Sequence, residues 1–308
     1  MLFIKDIQCS QPTSYRCRPL RELAESHQLS DKEIKIYQRI YQLDSVSMIE
    51  KSHFDMHLET LSELVSRHPS LRNKKGYLIF TKTQTHNTFF DDEWLKNLAN
   101  ACGLTRWTTF TLSLNHCASA LSAVHLIRQL HTTDFDGVAI ILSGEKSFSP
   151  YFNKMPVGLL GEMSAACLLS SKIGKWQITA SKVTHINQYY KNPENTTVQE
   201  RNEMRNVFYD QLVTFLSSDS IRDNPPDVVI SYNLNRPLLS RLTLDMDWED
   251  KLDLSHIGKY GHTFCSDVFF NLQMITEHRD FNSALLFSAG MGITFSSLNI
   301  LKHTATFN

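Results

Sequence analysis

Two segments of this 308-residue chain carry residue types suited to nucleophilic chemistry. In TLSLNHCASALSAVHLIRQL, residues 111–130, Cys117 stands where an apolar run gives way to small residues and then to a helical pattern. In KYGHTFCSDVFFNL, His262 stands at the start of a second helical run. The thiolate is the attacking form of cysteine, and the unpaired N–H groups of a helix N-terminus stabilise it. An imidazole beside it would take the thiol proton. Together they suit attack on an acyl thioester, followed by transfer of the bound acyl group to a second nucleophile in a ping-pong cycle.

The elements that must bring these residues together alternate between strand and helix. GYLIFTKT (76–83), RWTTFTLSL and DGVAIILSG (136–144) read as strands, and DDEWLKNLANACGL reads as a helix with an acidic start. PLRELAESHQLS and HLETLSELVSRH place leucines three and four apart, as helices do. Such alternation predicts an α/β architecture. A faint repetition overlies it. HCASALSAVHLIRQL, DGVAIILSG and GEMSAACLLS are followed later by HTFCSDVFFNLQMI, FNSALLFSAG and MGITFSSLNILK in the same order. Residues 1–170 therefore read as one half, carrying the thiol. Residues 171–308 read as a crossover, to about 225, and a second half. Pseudo-twofold packing of the halves would point both helix starts at one central region and set Cys117 beside His262.

Composition excludes several classes. A formal net charge of -1, with 31 Lys and Arg spread through the chain, leaves no basic stripe for nucleic acid. No apolar run reaches the roughly 18–20 residues of a spanning helix, and Lys5 and Asp6 interrupt any signal-peptide core, so a cytoplasmic protein is expected. The six cysteines are scattered without CxxC spacing, and the histidines form no HxH or HExxH set. Neither a disulfide framework nor a metal site is expected.

Five segments in order resemble the thiolase-like superfamily and, within it, the β-ketoacyl-acyl-carrier-protein synthase III enzymes and related acyltransferases. NHCASALSAVHLI resembles the nucleophile segment, and GEMSAACLLS the Gly-Asp-Gly-Ala-Gly-Ala strand entry, with Gly161 and Ala166 kept. DVVISYNLN is similar to the strand ending in Pro-His-Gln-Ala-Asn. KYGHTFCSD is similar to the Tyr-Gly-Asn-Thr segment and, through its Gly-His, to the thiolase Gly-His-Pro segment. LLFSAGMGITFSS resembles the glycine-rich C-terminal loop. The resemblance implies a five-layer α-β-α-β-α fold of duplicated halves. It implies a homodimer, or a heterodimer with a homologue of the same fold. It also implies acyl-coenzyme A or an acyl-carrier-protein phosphopantetheine thioester as substrate, with no permanently bound cofactor.

The same resemblance assigns Cys117 as the acylated nucleophile, His262 as the base, and either Asn233 or Tyr232 as donor to a thioester carbonyl or enolate. The Cys117 N–H and an N–H from Gly290, Met291 or Gly292 are the expected oxyanion hole. Departures bear on the reaction. Ser231-Tyr232-Asn233 lies where Pro-His-Gln is expected, and Ser288 and Met291 occupy the neighbourhood of the thiolase's second cysteine. Claisen-type condensation in a specialised pathway is the leading expectation. Transfer to oxygen or nitrogen, or a noncatalytic subunit beside an active homologue, are the alternatives.

Other residues receive structural or peripheral readings. His116 should point away from the pocket, and His125 should be buried and hydrogen-bonded to a neighbouring element. His86 follows a strand end, where the family's loops line the substrate tunnel or the dimer contact. Arg236 and Arg241, with Lys146 and Lys154, are candidates for a coenzyme A phosphate or an acidic carrier protein. Cys167 and Cys265 are assigned to the core, while Cys9, Cys17 and Cys102 carry no chemical context.

Overall fold

Short apolar runs bounded by turn residues build the sheet. Val138–Ser143 and Ala165–Ser170 are buried at every position, as strands covered on both faces must be. The computed structural model describes residues 1–83, 93–113, 115–130, 136–147, 149–186, 189, 197–217 and 225–303. In chain order the strands are β1 (Phe3–Cys9), β2 (Arg16–Pro19), β3 (Ser45–Met48), β4 (Tyr77–Thr81), β5 (Thr108–Leu112), β6 (Val138–Ser143), β7 (Lys154–Met155), β8 (Gly158–Leu159), β9 (Ala165–Ser170), β10 (Trp176–His185), β11 (Val228–Ile230), β12 (Ser283–Gly290) and β13 (Thr294–Lys302).

Nine of them form one mixed sheet in the order β11-β12-β13-β10-β1-β9-β6-β4-β5, and β2–β3 and β7–β8 make two small antiparallel ribbons. β1 and β10 pair antiparallel and divide the sheet into two limbs. Outward from β1 the pairings to β9 and β6 are antiparallel and that from β6 to β4 is parallel. Outward from β10 the pairings to β13 and β12 are antiparallel and that from β12 to β11 is parallel.

Two helices lie between the limbs. Ser119–Gln129 touches β4 and β6 of the first limb and β10, β12 and β13 of the second. Asp267–His278 touches β1 and β9 of the first and β11 and β12 of the second. Helices packed from both sides lose the usual polar face, and here Ser119–Val124 and Asp267–Leu272 are unbroken buried runs. Outside the first limb pack helices His53–Arg67 and Trp94–Ala101, and outside the second pack Val198–Leu216 and Arg236–Asp245. Among the described residues no helix is long and apolar enough to cross a membrane.

One local expectation needs correction. PLRELAESHQLS does not form a helix: its leucines instead tuck a series of turns into a small core with β3 and β8. The reversal is fixed by Gln28 at φ 50° and by a Leu29 N–H that reaches back to the Ala24 carbonyl. The segment read as a crossover contains β10, which holds the two limbs together. It shows little apolar signal because most of its residues are only partly buried.

Candidate active site

β5 delivers the chain to a three-residue 3-10 turn, His116–Ala118, that runs directly into the central helix Ser119–Gln129. Cys117 is the middle residue of that turn, half-buried, and the preceding His116 adopts φ 48°, a conformation uncommon for a residue with a side chain. The surroundings fix this backbone. Ser288 Oγ donates to the Cys117 carbonyl at 2.9 Å, and Ser296 Oγ donates to the Ala118 carbonyl at 3.1 Å. Asn115 Nδ2 donates to Ser122 Oγ at 2.6 Å. Gly290 at the end of β12 lies so close that a Cβ there would stand 2.3 Å from the Asn115 oxygen.

His262 stands just before the turn that opens the second central helix. Its N–H donates to the Leu159 carbonyl and its own carbonyl accepts from the Gly161 N–H, so a backbone bridge sets the ring's position. His262 Nε2 lies 3.1 Å from Cys117 Sγ, and Nδ1 lies 2.5 Å from Asp267 Oδ2. With Nδ1–H donating to the carboxylate, Nε2 faces Cys117 Sγ and is placed to carry the thiol proton. His262 and Asp267 are each 1% exposed. Burial opposes the imidazolium, but the Asp267 carboxylate and the Cys117 thiolate outweigh it and hold His262 well above its ordinary range.

Asp267 was not singled out in the sequence. It is the first residue of its helix, where the positive end of the macrodipole favours a carboxylate. Thr263 donates to Oδ1 from its N–H and its hydroxyl, both at 2.7 Å, and the Asn233 N–H donates to Oδ2 at 2.6 Å. A buried charge with this many donors is satisfied rather than stranded. The available signal was the acidic residue opening the helix in HTFCSD, five positions after His262. Thr83, whose hydroxyl donates to Cys117 Sγ at 3.4 Å, was also missed. Cys117, His262 and Asp267 thus make a buried Cys–His pair oriented by a carboxylate, of the kind used in acyl transfer from thioesters.

Comparison with solved structures places the fold in a known framework. The acyltransferase ChlB3 superposes with a TM-score of 0.81 at 16% identity over 98% of each chain. The β-ketoacyl-[acyl carrier protein] synthase III of Thermus thermophilus gives 0.76 at 14% over 99% of this chain and 100% of that one. A Xanthomonas campestris OleA variant gives 0.78 at 13% over 97% and 98%. The fold is thiolase-like. No protein-family model and no curated protein matches the sequence.

Within the thiolase-like fold the remaining candidates separate. Tyr232 is buried with its ring edge-on to His262, centroids 6.4 Å apart, and to Phe287 at 6.0 Å. Burial, then the charges of the Cys117 thiolate and Asp267, push its phenol up. Asn233 does not turn its amide to the thiol. Nδ2 donates to Asn271 Oδ1 at 3.2 Å, and Asn271 Nδ2 donates back to Asn233 Oδ1 at 2.8 Å and to the Ser231 carbonyl. Both polar atoms of the Asn233 side chain are thus engaged with Asn271.

Gly290 stands against the nucleophile turn, Gly292 adopts φ 71°, and Met291 between them is exposed. Arg236 donates to the Leu254 carbonyl at 2.7 Å, and Arg241 lies over the Tyr209 ring and pairs with Asp245. Lys146 pairs with Glu162, and Lys154 with Glu33. These cations are held by the protein itself. His125 Nδ1 meets Ser181 Oγ of β10 at 2.8 Å. His86 lies outside the described residues. Among the described residues no three His, Cys, Asp or Glu side chains are grouped to hold a metal ion.

Proposed function

We propose that this chain is an acyltransferase that forms an acyl-Cys117 intermediate from an acyl thioester and passes the acyl group to a hydroxyl or amine. The observation that carries the reading is the line of Cys117 Sγ, His262 Nε2 at 3.1 Å and a buried Asp267 on His262 Nδ1. The thiolate attacks the thioester carbonyl carbon while His262 holds the proton. Collapse of the tetrahedral intermediate breaks the carbon–sulfur bond to the donor, and the donor thiol leaves with that proton. An acceptor O–H or N–H then gives its proton to His262 as it attacks the acyl group. The Cys117 thiolate departs, which restores the imidazolium–thiolate pair beside Asp267 with which the cycle began. The Cys117 N–H and an N–H of Gly290, Met291 or Gly292 serve as the oxyanion hole, each donor worth about 3–4 kcal/mol.

Decarboxylative condensation, the leading expectation from sequence, is the second reading. It calls for a donor to the enolate besides His262. The Asn233 amide is closed on Asn271, which leaves Tyr232 as the neutral group beside the imidazole. The acyl donor is a coenzyme A or carrier-protein phosphopantetheine thioester. The matching order of strand pairings outward from β1 and β10 supports duplicated halves, 1–170 and 171–308, in five layers, and the working form is a cytoplasmic dimer.

Incubation with a panel of acyl-coenzyme A and acyl-carrier-protein donors, read by intact-protein mass spectrometry, tests the first half-reaction. An acyl adduct that is absent in Cys117→Ala is expected. Chasing the adduct with hydroxyl or amine acceptors, in parallel with a malonyl thioester, separates the two readings. Carbon–carbon product alone would replace transfer with condensation. No adduct with any donor, alone or with a homologous partner, would leave a noncatalytic subunit.

A further inference from the structure

Cys265, assigned to the core from sequence, sits in a setting that repeats that of Cys117. Each is the middle residue of a three-residue 3-10 turn, His116–Ala118 or Phe264–Ser266, that runs into one of the two central helices. Each follows a residue with a side chain at positive φ, 48° at His116 and 60° at Phe264. The turns lie against one another. The Thr83 hydroxyl touches both sulfurs, 3.4 Å from Cys117 Sγ and 3.6 Å from Cys265 Sγ. Cys265 Sγ donates at 3.2 Å to the His116 carbonyl, the oxygen of the peptide that leads into Cys117.

We propose that Cys265 is a resolving thiol for Cys117, so that a hydroperoxide converts the pair into a reversible disulfide that closes the site. The Cys117 thiolate attacks the peroxide's outer oxygen, giving Cys117–SOH and releasing hydroxide or alkoxide. Cys265 then displaces the sulfenic hydroxyl, its thiol proton passing to the departing oxygen, so that the S–S bond and one water form, with both sulfurs oxidised and the peroxide reduced. The order of events follows from the surroundings. Burial, the Cys117 thiolate and the Glu145 carboxylate keep the Cys265 thiol protonated. Oxidation of Cys117 to a neutral sulfenic acid removes one of those charges. Cys9, Cys102 and Cys167 are buried elsewhere, and Cys17 lies on the β2 ribbon. Closure needs only the reactivity of Cys117, not its acyl substrate, and so stands apart from the acyl-transfer reading.

The test treats the full chain with a few equivalents of hydrogen peroxide, blocks free thiols with N-ethylmaleimide and maps the peptides by mass spectrometry. The expected result is a Cys117–Cys265 cross-linked peptide, lost on treatment with dithiothreitol. Sulfinic acid at Cys117 should be about tenfold lower than in Cys265→Ser or Cys265→Ala under the same dose. Equal sulfinic acid in wild type and variants overturns the proposal, as does a cross-link to another cysteine. A Cys117 that neither alkylates with N-ethylmaleimide before treatment nor oxidises also overturns it. If both variants fail to fold, the wild-type cross-link and its reversal decide.

Discussion

Asn233 reaches Asp267 through its backbone N–H, 2.6 Å from Oδ2, while its side-chain amide is closed on Asn271. A residue expected to contact the substrate therefore helps to hold the carboxylate behind the base. Asn233→Ala should preserve the N–H and the acylation rate of Cys117 within about tenfold. It should lower stability by about 1–3 kcal/mol, because Asn271 loses its reciprocal partner in a buried place. Acylation kinetics and urea denaturation of the same variant check both halves. A rate loss of several hundredfold without a change in stability would return Asn233 to the substrate.

Asp267→Asn keeps the shape but removes the charge that selects the Nδ1–H form of His262. Triads disarmed in this way lose about 10⁴-fold in turnover, and a loss of about 10²–10⁴ in the rate of Cys117 acylation is expected. Rapid-quench mass spectrometry measures it, and a thermal melt separates it from unfolding.

Stability should fall as the medium turns alkaline. His262 titrates well above its ordinary range in the folded chain, so the stability it contributes is complete below the unfolded value of about 6.5 and is lost as pH rises through the folded value. Urea midpoints across that range should decline in wild type and decline less in His262→Gln, which holds no titrating proton.

The acid side is governed by different histidines. Burial lowers His53 to about 4 and drives His57, which it contacts at 3.2 Å, well below the ordinary range. Their contribution is present above about pH 6.5 and lost as pH falls towards the folded values, at up to about 1.4 kcal/mol per pH unit for each proton. His53→Phe keeps a ring against Trp94, on which His53 stacks, and should shallow the decline between pH 6.5 and 4 in the same denaturation series.

Gly290→Ala places a methyl 2.3 Å from the Asn115 oxygen and must push the nucleophile turn aside. A stability loss of about 1–3 kcal/mol and a marked fall in Cys117 acylation are expected. Met291→Ala, one residue on at an exposed position, should stay within about 0.5 kcal/mol. Paired melts and acylation assays of the two variants make the comparison.

The alternation of strands and helices was readable because buried strands are written in unbroken apolar residues, as in Val138–Ser143. The approach of Cys117 to His262 was readable because both helix starts announce themselves with small or polar residues and recur in the same order. β10 was hidden because a strand only partly buried along most of its length shows no apolar run. Asp267 was hidden for another reason. Its carboxylate turns back to His262 through the Phe264–Ser266 turn, entered at a positive φ that nothing in the residue types demands. The fate of the Asn233 amide was equally illegible, since its partner Asn271 lies on a helix that reads as simple core.

Cys117 lies at the start of one central helix, while His262 and Asp267 lie at the start of the other, 145 residues from the thiol in the case of the imidazole. The pair therefore exists only after long-range contacts have formed, with β12 and β13 closing over the nucleophile turn through Ser288 and Ser296. During synthesis the cysteine precedes His262 by 145 residues. Reactivity is thus tied to assembly: β12 and β13, which follow His262 in the chain, complete the surroundings of the nucleophile.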